Sequence, residues 1–313
     1  MKVVFLDSVH GILEERLTAS GLECIDATKF SKSECEKIVH DATGIVIRSR
    51  FRMDADFLKH APELKFIARS GAGMENIDLA YCTQHGIEAY NAPEGNRNAV
   101  GEHALGMLLS LFNKLHTGDR EVREGKWDRE GNRGVELDGK TVGIIGYGNN
   151  GSAFAKKLQG FDVTVLAYDK YKNGFGNEFV REVSMEELFA QCDVLSFHIP
   201  QTEETRFLGN TAFFNSFKKP IYLINIARGK VVETKALVNA LKTGKVLGAC
   251  LDVLEYEKTS FESFFDREIP ADFAYILNSS NVILSPHVGG WTIESYFKLS
   301  DVLADKILAH SFE

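Results

Sequence analysis

Residues 141–155 read Thr-Val-Gly-Ile-Ile-Gly-Tyr-Gly-Asn-Asn-Gly-Ser-Ala-Phe-Ala. A β-branched run enters three glycines spaced Gly-x-Gly-x-x-Gly, and a helix-forming stretch leaves them. In that context Gly146 permits a tight turn and Gly148 lets the backbone approach a pyrophosphate. Gly151 lets the helix pack against the strand. The helix start offers unpaired N–H groups and the positive end of its dipole to an anion. Glycines also make ordinary turns, so the sequence that follows decides the reading. The next apolar run, residues 163–168, ends at Asp169, eighteen residues after Gly151. A dinucleotide site places its ribose-binding acid at about that distance. A carboxylate there accepts both ribose hydroxyls and repels a 2′-phosphate, so the pattern points to NAD over NADP.

The same alternation extends in both directions. Short apolar runs lie at residues 3–6, 44–47, 64–68, 194–197, 221–224, 246–251 and 282–284, besides the two already named. They are apolar on both faces, which suits strands of a parallel sheet covered by helices on each side. The segments between them read as those helices. Ser31-Lys-Ser-Glu34 and Ser184-Met-Glu-Glu187 have the capping-box spacing. Residues 99–112 repeat Val100, Ala104, Leu105, Leu108, Leu109 and Phe112 at helical spacing, and residues 291–313 do so again. Alternating β and α along the whole chain predicts an α/β fold. Its length of 313 residues suggests two domains, drawn from the blocks 1–97 and 140–286.

Composition excludes several classes. The formal charge is −8, from 36 basic and 44 acidic residues, and no Lys/Arg-rich run offers a surface for nucleic acid. No apolar stretch approaches the ~18 residues needed to span a bilayer, so no membrane association is expected. The start, Met-Lys-Val-Val-Phe-Leu-Asp, reads as a strand and not as a secretory signal. Five cysteines with no Cys-x-x-Cys pair read as reduced, buried thiols of a cytoplasmic protein, with no metal site.

In open α/β sheets, ligands bind beyond the carboxyl ends of the strands. Polar groups follow several apolar runs here. Residues 221–229 lead to Arg228, residues 246–257 lead to Asp252 and Glu257, and residues 282–290 lead to His287. Each has a bland reading as a surface ion pair, a loop cap or a solvated loop histidine. Their joint recurrence beside a nucleotide loop favours chemistry. Arg228 carries a permanently charged planar fork suited to a carboxylate. His287 is able to carry a proton near neutrality, and a neighbouring carboxylate favours the imidazolium.

At this point the chain resembles the D-isomer-specific 2-hydroxyacid dehydrogenase family over essentially its whole length. The resemblance rests on Arg48-Ser-Arg50, Arg69-Ser-Gly-Ala-Gly-Met-Glu-Asn-Ile-Asp78, Asn91-Ala-Pro-Glu-Gly-Asn and the glycine loop. It rests further on Asn225-Ile-Ala-Arg-Gly-Lys-Val-Val-Glu233, Gly248-Ala-Cys-Leu-Asp-Val-Leu-Glu255 and Ser285-Pro-His-Val-Gly-Gly290. It implies two doubly wound parallel-sheet domains with a cleft between them. A Rossmann cofactor domain, residues 98–290, is inserted into a flavodoxin-like substrate domain, residues 1–97 plus 291–313. The implied catalytic set is Arg228, Glu257 and His287, and the implied assembly is a homodimer through the cofactor domain. Implied NAD contacts are Gly146, Gly148, Asn149, Asn150, Gly151, Asp169, Ile199, Pro200, Ala227, Arg228, Asp252, His287, Gly289 and Gly290.

The resemblance implies a 2-hydroxy or 2-keto acid as substrate, held by Arg48, Ser49, Ala72, Gly73, Arg228 and His287. Arg48-Ser-Arg50 is similar to the phosphate-contacting segment of phosphoglycerate dehydrogenases, which makes D-3-phosphoglycerate, and with it serine biosynthesis, the expectation. Two guanidinium groups would there offset a phosphate. Reductases of glyoxylate or hydroxypyruvate, and D-lactate dehydrogenases, are the alternatives. Corepressors that use this fold to sense dinucleotide are the alternative from another class. Three departures stand out, one of them Lys258, which follows Glu257 where proline is common. Asn149-Asn150 occupy positions where a basic and an aliphatic residue are common. The span from Glu257 to His287 is long and holds Phe261, Phe264, Phe265 and Phe273; it reads as an added packed loop, or else a substrate lid.

Overall fold

Parallel strands alternate their side chains between two helix layers, and this chain obeys that rule in two sheets. A computed structural model of the chain describes residues 1–257 and 269–310. They fall into two units, one of residues 1–97 with 291–310, the other of residues 98–257 with 269–290. Each unit is built on one sheet, and every strand pairing is parallel.

The first unit holds β1 (Lys2–Phe5), β2 (Glu23–Asp26), β3 (Gly44–Ile47), β4 (Phe66–Arg69) and β5 (Glu88–Asn91), in the order β2-β1-β3-β4-β5. Successive residues of β1 go to opposite cores. Val3 and Phe5 pack with Leu13, Leu17, Leu299, Leu303 and Ile307 from helices Ile12–Ala19 and Ile293–Leu308. Val4 and the following Leu6 pack with Cys35, Val39, Phe57 and Leu58 on the other side. The strand order reverses direction between β1 and β3, a switch point beyond whose carboxyl ends a ligand is expected.

The second unit holds β6 (Thr141–Ile145), β7 (Thr164–Tyr168), β8 (Val180–Glu182), β9 (Val194–Phe197), β10 (Ile221–Asn225), β11 (Val246–Leu251) and β12 (Val282–Leu284). The order is β12-β11-β10-β9-β6-β7-β8, a Rossmann sheet with one further strand, reversing between β6 and β9. On one face Val142, Ile144, Ile224 and Cys250 meet Val100, Ala104, Leu108 and Phe112 of the helix Pro93–Phe112. On the other, Ile145, Leu223 and Leu251 meet Leu188, Phe213 and Leu237.

The apolar runs read from sequence are strands here, and both capping boxes close as expected. Three strands carried no such signal: Glu-Cys-Ile-Asp, Glu-Ala-Tyr-Asn and Val-Arg-Glu in β2, β5 and β8. All three are edge strands, which bury less and need no continuous apolar run. The long helix begins at Pro93, six residues before the periodic stretch. Proline suits the first helical turn because its missing N–H has no intrahelical partner there. Phe273, on the helix Ala271–Asn278, is a buried core residue. The remaining phenylalanines of the Glu257–His287 span, at 261, 264 and 265, lie outside the described residues. Among the described residues no helix is long and apolar enough to cross a membrane.

Candidate active site

The register of the second sheet puts one row of residues at its carboxyl rim: Tyr168, Ile145, Phe197, Asn225, Leu251 and Leu284 are successive partners across β7, β6, β9, β10, β11 and β12. The next residues of those strands, including Asp169, Gly146, His198, Asp252 and Ser285, therefore open loops on one edge. Main-chain bonds extend the row by one step. Gly146 donates to the Tyr168 carbonyl and His198 to that of Ile145, both at 2.8 Å.

Gly146 sits at φ +94°, and a Cβ there would stand 2.6 Å from the His198 carbonyl oxygen. A Cβ on Gly151 would stand 2.0 Å from the Gly146 carbonyl oxygen, so the helix Asn149–Lys157 starts where only glycine fits. At Gly148, its N-cap, a Cβ would meet nothing within 4 Å. The N–H groups of Gly148 and Asn150 find no hydrogen-bond partner among the described residues. Open space faced by unpaired donors at a helix start fits a pyrophosphate. Asp169 stitches the loop to the turn after β7: one carboxylate oxygen accepts the Tyr147 N–H at 2.8 Å, the other those of Tyr171 at 2.9 Å and Lys172 at 3.0 Å. Three of its roughly four lone-pair sites are thus used inside the chain. Ile199 lies against the same loop, its Cγ2 2.8 Å from the position of a Gly146 Cβ, and the exposed Pro200 follows it.

Arg228 is set by Asn225, whose side chain is 1% exposed. Asn225 Nδ2 donates to the Arg228 carbonyl at 3.0 Å, and its Oδ1 accepts the Ala227 N–H at 3.2 Å. The Arg228 guanidinium donates to the Ala227 carbonyl at 2.7 Å.

His287 and Glu257 meet: Nδ1 lies 3.0 Å from Oε2, with both side chains about four-fifths buried. Asp252, 3% exposed, is enclosed by donors. Its carboxylate accepts Ser285 Oγ at 2.6 Å, the Val288 N–H at 2.9 Å and the Gly289 N–H at 2.8 Å, with His103 Nε2 at 3.4 Å. Burial works to raise this carboxyl, but the hydrogen bonds from His103, Ser285, Gly289 and Val288 outweigh it and hold it below the usual aspartate range. Asp252 therefore anchors the loop that carries His287, Gly289 and Gly290. Nothing in the sequence pointed to His103.

In the first unit, Asp7 follows β1 and accepts the N–H groups of Arg48, Ser49 and Arg50 on one oxygen, at 2.9, 2.9 and 3.0 Å. That fixes the turn after β3 and takes the Ser49 N–H out of use. The Arg50 guanidinium spends its donors on the carbonyls of Leu6, Ala27 and Phe30. The expectation of two guanidinium groups for one phosphate thus meets a structure in which Arg50 ties strands together. Arg48 differs: its guanidinium lies 4.2 Å over the Trp291 ring, and one nitrogen approaches the Ser8 carbonyl at 3.4 Å. Trp291, half-exposed, is a second residue that sequence reading missed. Asn91 Nδ2 donates to the Ala72 carbonyl at 2.6 Å. The N–H groups of Ala72 and Gly73 have no hydrogen-bond partner among the described residues.

Comparisons with known proteins bear on this arrangement. Residues 105–289 match the family model of the D-isomer specific 2-hydroxyacid dehydrogenase NAD binding domain. The chain is 35% identical over 310 residues, 98% of its length, to a D-3-phosphoglycerate dehydrogenase of Archaeoglobus fulgidus, of which it covers 57%. It is 33% identical to a hydroxypyruvate reductase of Thermotoga maritima, over 90% of this chain and 89% of that protein. The structure of an Aquifex aeolicus D-lactate dehydrogenase, solved with NAD and lactic acid, superposes with a TM-score of 0.82 at 29% identity, covering 99% of this chain and 95% of that one. The chain spans little more than half the length of the curated D-3-phosphoglycerate dehydrogenases it matches. With the glycine loop, the rim and these likenesses together, the chain belongs to the D-isomer specific 2-hydroxyacid dehydrogenase family, its second unit carrying the NAD-binding domain.

Proposed function

We propose that the chain is an NAD-dependent dehydrogenase that interconverts a D-2-hydroxy acid and its 2-keto acid, with D-3-phosphoglycerate as the substrate. The single observation that carries the chemistry is the 3.0 Å contact of His287 with Glu257 on the rim that also bears the glycine loop. When bound, NAD supplies the hydride acceptor and NADH the donor. The N–H groups of Gly148 and Asn150 would hold its pyrophosphate and Asp169 its adenosine ribose, and Asn149, Gly151, Ile199, Pro200, Ala227, Asp252, Gly289 and Gly290 are the further residues assigned to it. Glu257 holds His287 through Nδ1, and Nε2 is the atom assigned to proton exchange with the substrate oxygen. It accepts the hydroxyl proton in oxidation and returns one to the carbonyl oxygen in reduction. The Arg228 fork polarises that carbonyl and holds the adjacent carboxylate. Arg48, at the switch point of the first sheet, takes the phosphate.

The withdrawal of Arg50 favours a second reading, reduction of hydroxypyruvate or glyoxylate, whose smaller anions need less positive charge. Leu115, Val122, Trp127 and Val135 are each exposed within residues 115–135 of the second unit, and these exposed apolar side chains support a homodimer formed there. Five cysteines without a disulfide suit a reducing compartment, the cytoplasm. The test is turnover, followed at the NADH absorbance band, of D-3-phosphoglycerate, D-glycerate, D-lactate, hydroxypyruvate and glyoxylate, with His287→Ala beside the parent protein. Highest kcat/KM on D-3-phosphoglycerate, lost by about 10²–10⁴ in the variant, is expected. Preference for hydroxypyruvate or glyoxylate selects the second reading. NADH binding without turnover of any acid overturns both and leaves a binding-only role.

A further inference from the structure

We infer that His103 is a positioning residue for proton transfer, acting through Ser285 and Asp252 on the loop that carries His287. The inference rests on the reading that His287 exchanges the proton.

Three consecutive N–H groups end on one residue. His287 donates to the main-chain oxygen of Asp252 at 2.8 Å, Val288 to Oδ1 at 2.9 Å and Gly289 to Oδ2 at 2.8 Å. His287 itself stands at φ +56°, in the left-handed region. A side chain there costs about 1–3 kcal/mol and persists only where the surroundings over-determine it. Asp252 is that determinant, so whatever orients the Asp252 carboxylate orients the His287 backbone.

The carboxylate is oriented by a chain of donors. Ser285 Oγ donates to Oδ1 at 2.6 Å, so its oxygen is left to accept. His103 Nε2 lies 2.9 Å from that oxygen and 3.4 Å from Oδ1 itself, which requires the hydrogen on Nε2. His103 projects from the helix Pro93–Phe112, whose Ala104, Met107 and Leu108 are buried in the sheet's core. A donor on a packed helix thereby fixes a serine rotor, the rotor fixes a buried carboxylate, and the carboxylate fixes the two amides that follow His287, those of Val288 and Gly289. Without His103 the Ser285 hydroxyl has another place to turn, the Met107 sulfur at 3.7 Å. In that turn Oδ1 loses its shortest bond. Misplacement of a reacting group by 1 Å costs on the order of a hundredfold in rate.

The experiment compares His103→Phe, His103→Gln, Ser285→Ala and His287→Ala with the parent, using the best acid found by turnover. The glutamine places an amide N–H near the position of Nε2. Readouts are kcat and KM, the NADH dissociation constant by fluorescence, and hydrogen exchange of the Val288 and Gly289 amides without substrate. His103→Phe is expected to lower kcat about 10–100-fold, with KM and NADH affinity within about threefold and both amides exchanging about tenfold faster. His103→Gln is expected within about threefold of the parent on every readout. Parental kcat and exchange in His103→Phe overturn the proposal, as does a glutamine variant no better than the phenylalanine. If the phenylalanine variant does not fold, Ser285→Ala breaks the same chain without touching the helix, and the same two results apply to it. Parental turnover in His287→Ala instead overturns the proton-exchange reading, while amide exchange still decides whether His103 holds the loop.

Discussion

His198 offers a clean test of how the floor of the nucleotide loop is built. It follows β9, where a Gly146 Cβ would stand 2.6 Å from its carbonyl oxygen. Its Nε2 is 2.8 Å from Oγ of the fully buried Ser196, its ring lies 5.4 Å from that of Phe154, and its Nδ1 is shut from solvent with no partner. Burial alone pushes this imidazole down from 6.5 to about 3. Between those values the unfolded chain binds a proton that the folded chain refuses, so stability rises with pH. The contribution is complete above pH 6.5 and is lost as pH falls towards 3. At pH 5 the unfolded imidazole lies 1.5 pH units below its own value, which removes about 2 kcal/mol. His198→Gln keeps a group able to bond Ser196 and removes the titration. Urea unfolding at pH 8 and pH 5, read from hydrogen exchange of the β9 amides so that only this unit reports, gives a double difference. The parent is expected to lose about 2 kcal/mol more than the variant on acidification, because every other titrating group cancels. Equal losses, within about 0.5 kcal/mol, refute the argument. So does a His198 resonance that titrates near 6.5.

Three further expectations follow from contacts in the structure. Gly151→Ala puts a methyl 2.0 Å from the Gly146 carbonyl oxygen, so the helix start must shift; a loss of about 1–3 kcal/mol by thermal unfolding and weaker NADH binding by fluorescence titration are expected. Asp169→Ala removes the repulsion of a 2′-phosphate and also frees three N–H groups, so the NAD/NADP ratio of kcat/KM should fall while the melting temperature drops; an unchanged ratio removes Asp169 from cofactor choice. Trp291→Ala deprives the Arg48 guanidinium of its ring, worth about 0.5–1 kcal/mol, and should raise KM for a phosphorylated acid about two- to fivefold without touching that for D-lactate.

What could be read in advance follows burial. The inner strands announced themselves because both faces of each are packed, as Val3 and Val4 show by entering different cores. The edge segments Glu23–Asp26, Glu88–Asn91 and Val180–Glu182 carry charges and escaped notice, since an edge asks less of its residues. The glycine loop was legible because backbone geometry, which glycine alone satisfies, is written locally. Arg50 looked like a ligand for phosphate because a guanidinium has the same letters whether it faces an anion or three carbonyls. Which of these it faces depends on segments 20 to 44 residues away in the chain.

The order of elements, the Rossmann loop and the candidate chemistry at 228, 257 and 287 are properties of local spacing, and the chain states them by itself. The gathering of Asp169, Gly146, His198, Asp252 and Ser285 on one rim needed the sheet, because only strand register sets which residues end level with one another. The link from His103 to Ser285 spans 182 residues and has no periodicity, motif or composition to betray it. A hydrogen bond depends on a few tenths of an ångström between groups brought together by packing, and that distance exists only once the chain has folded.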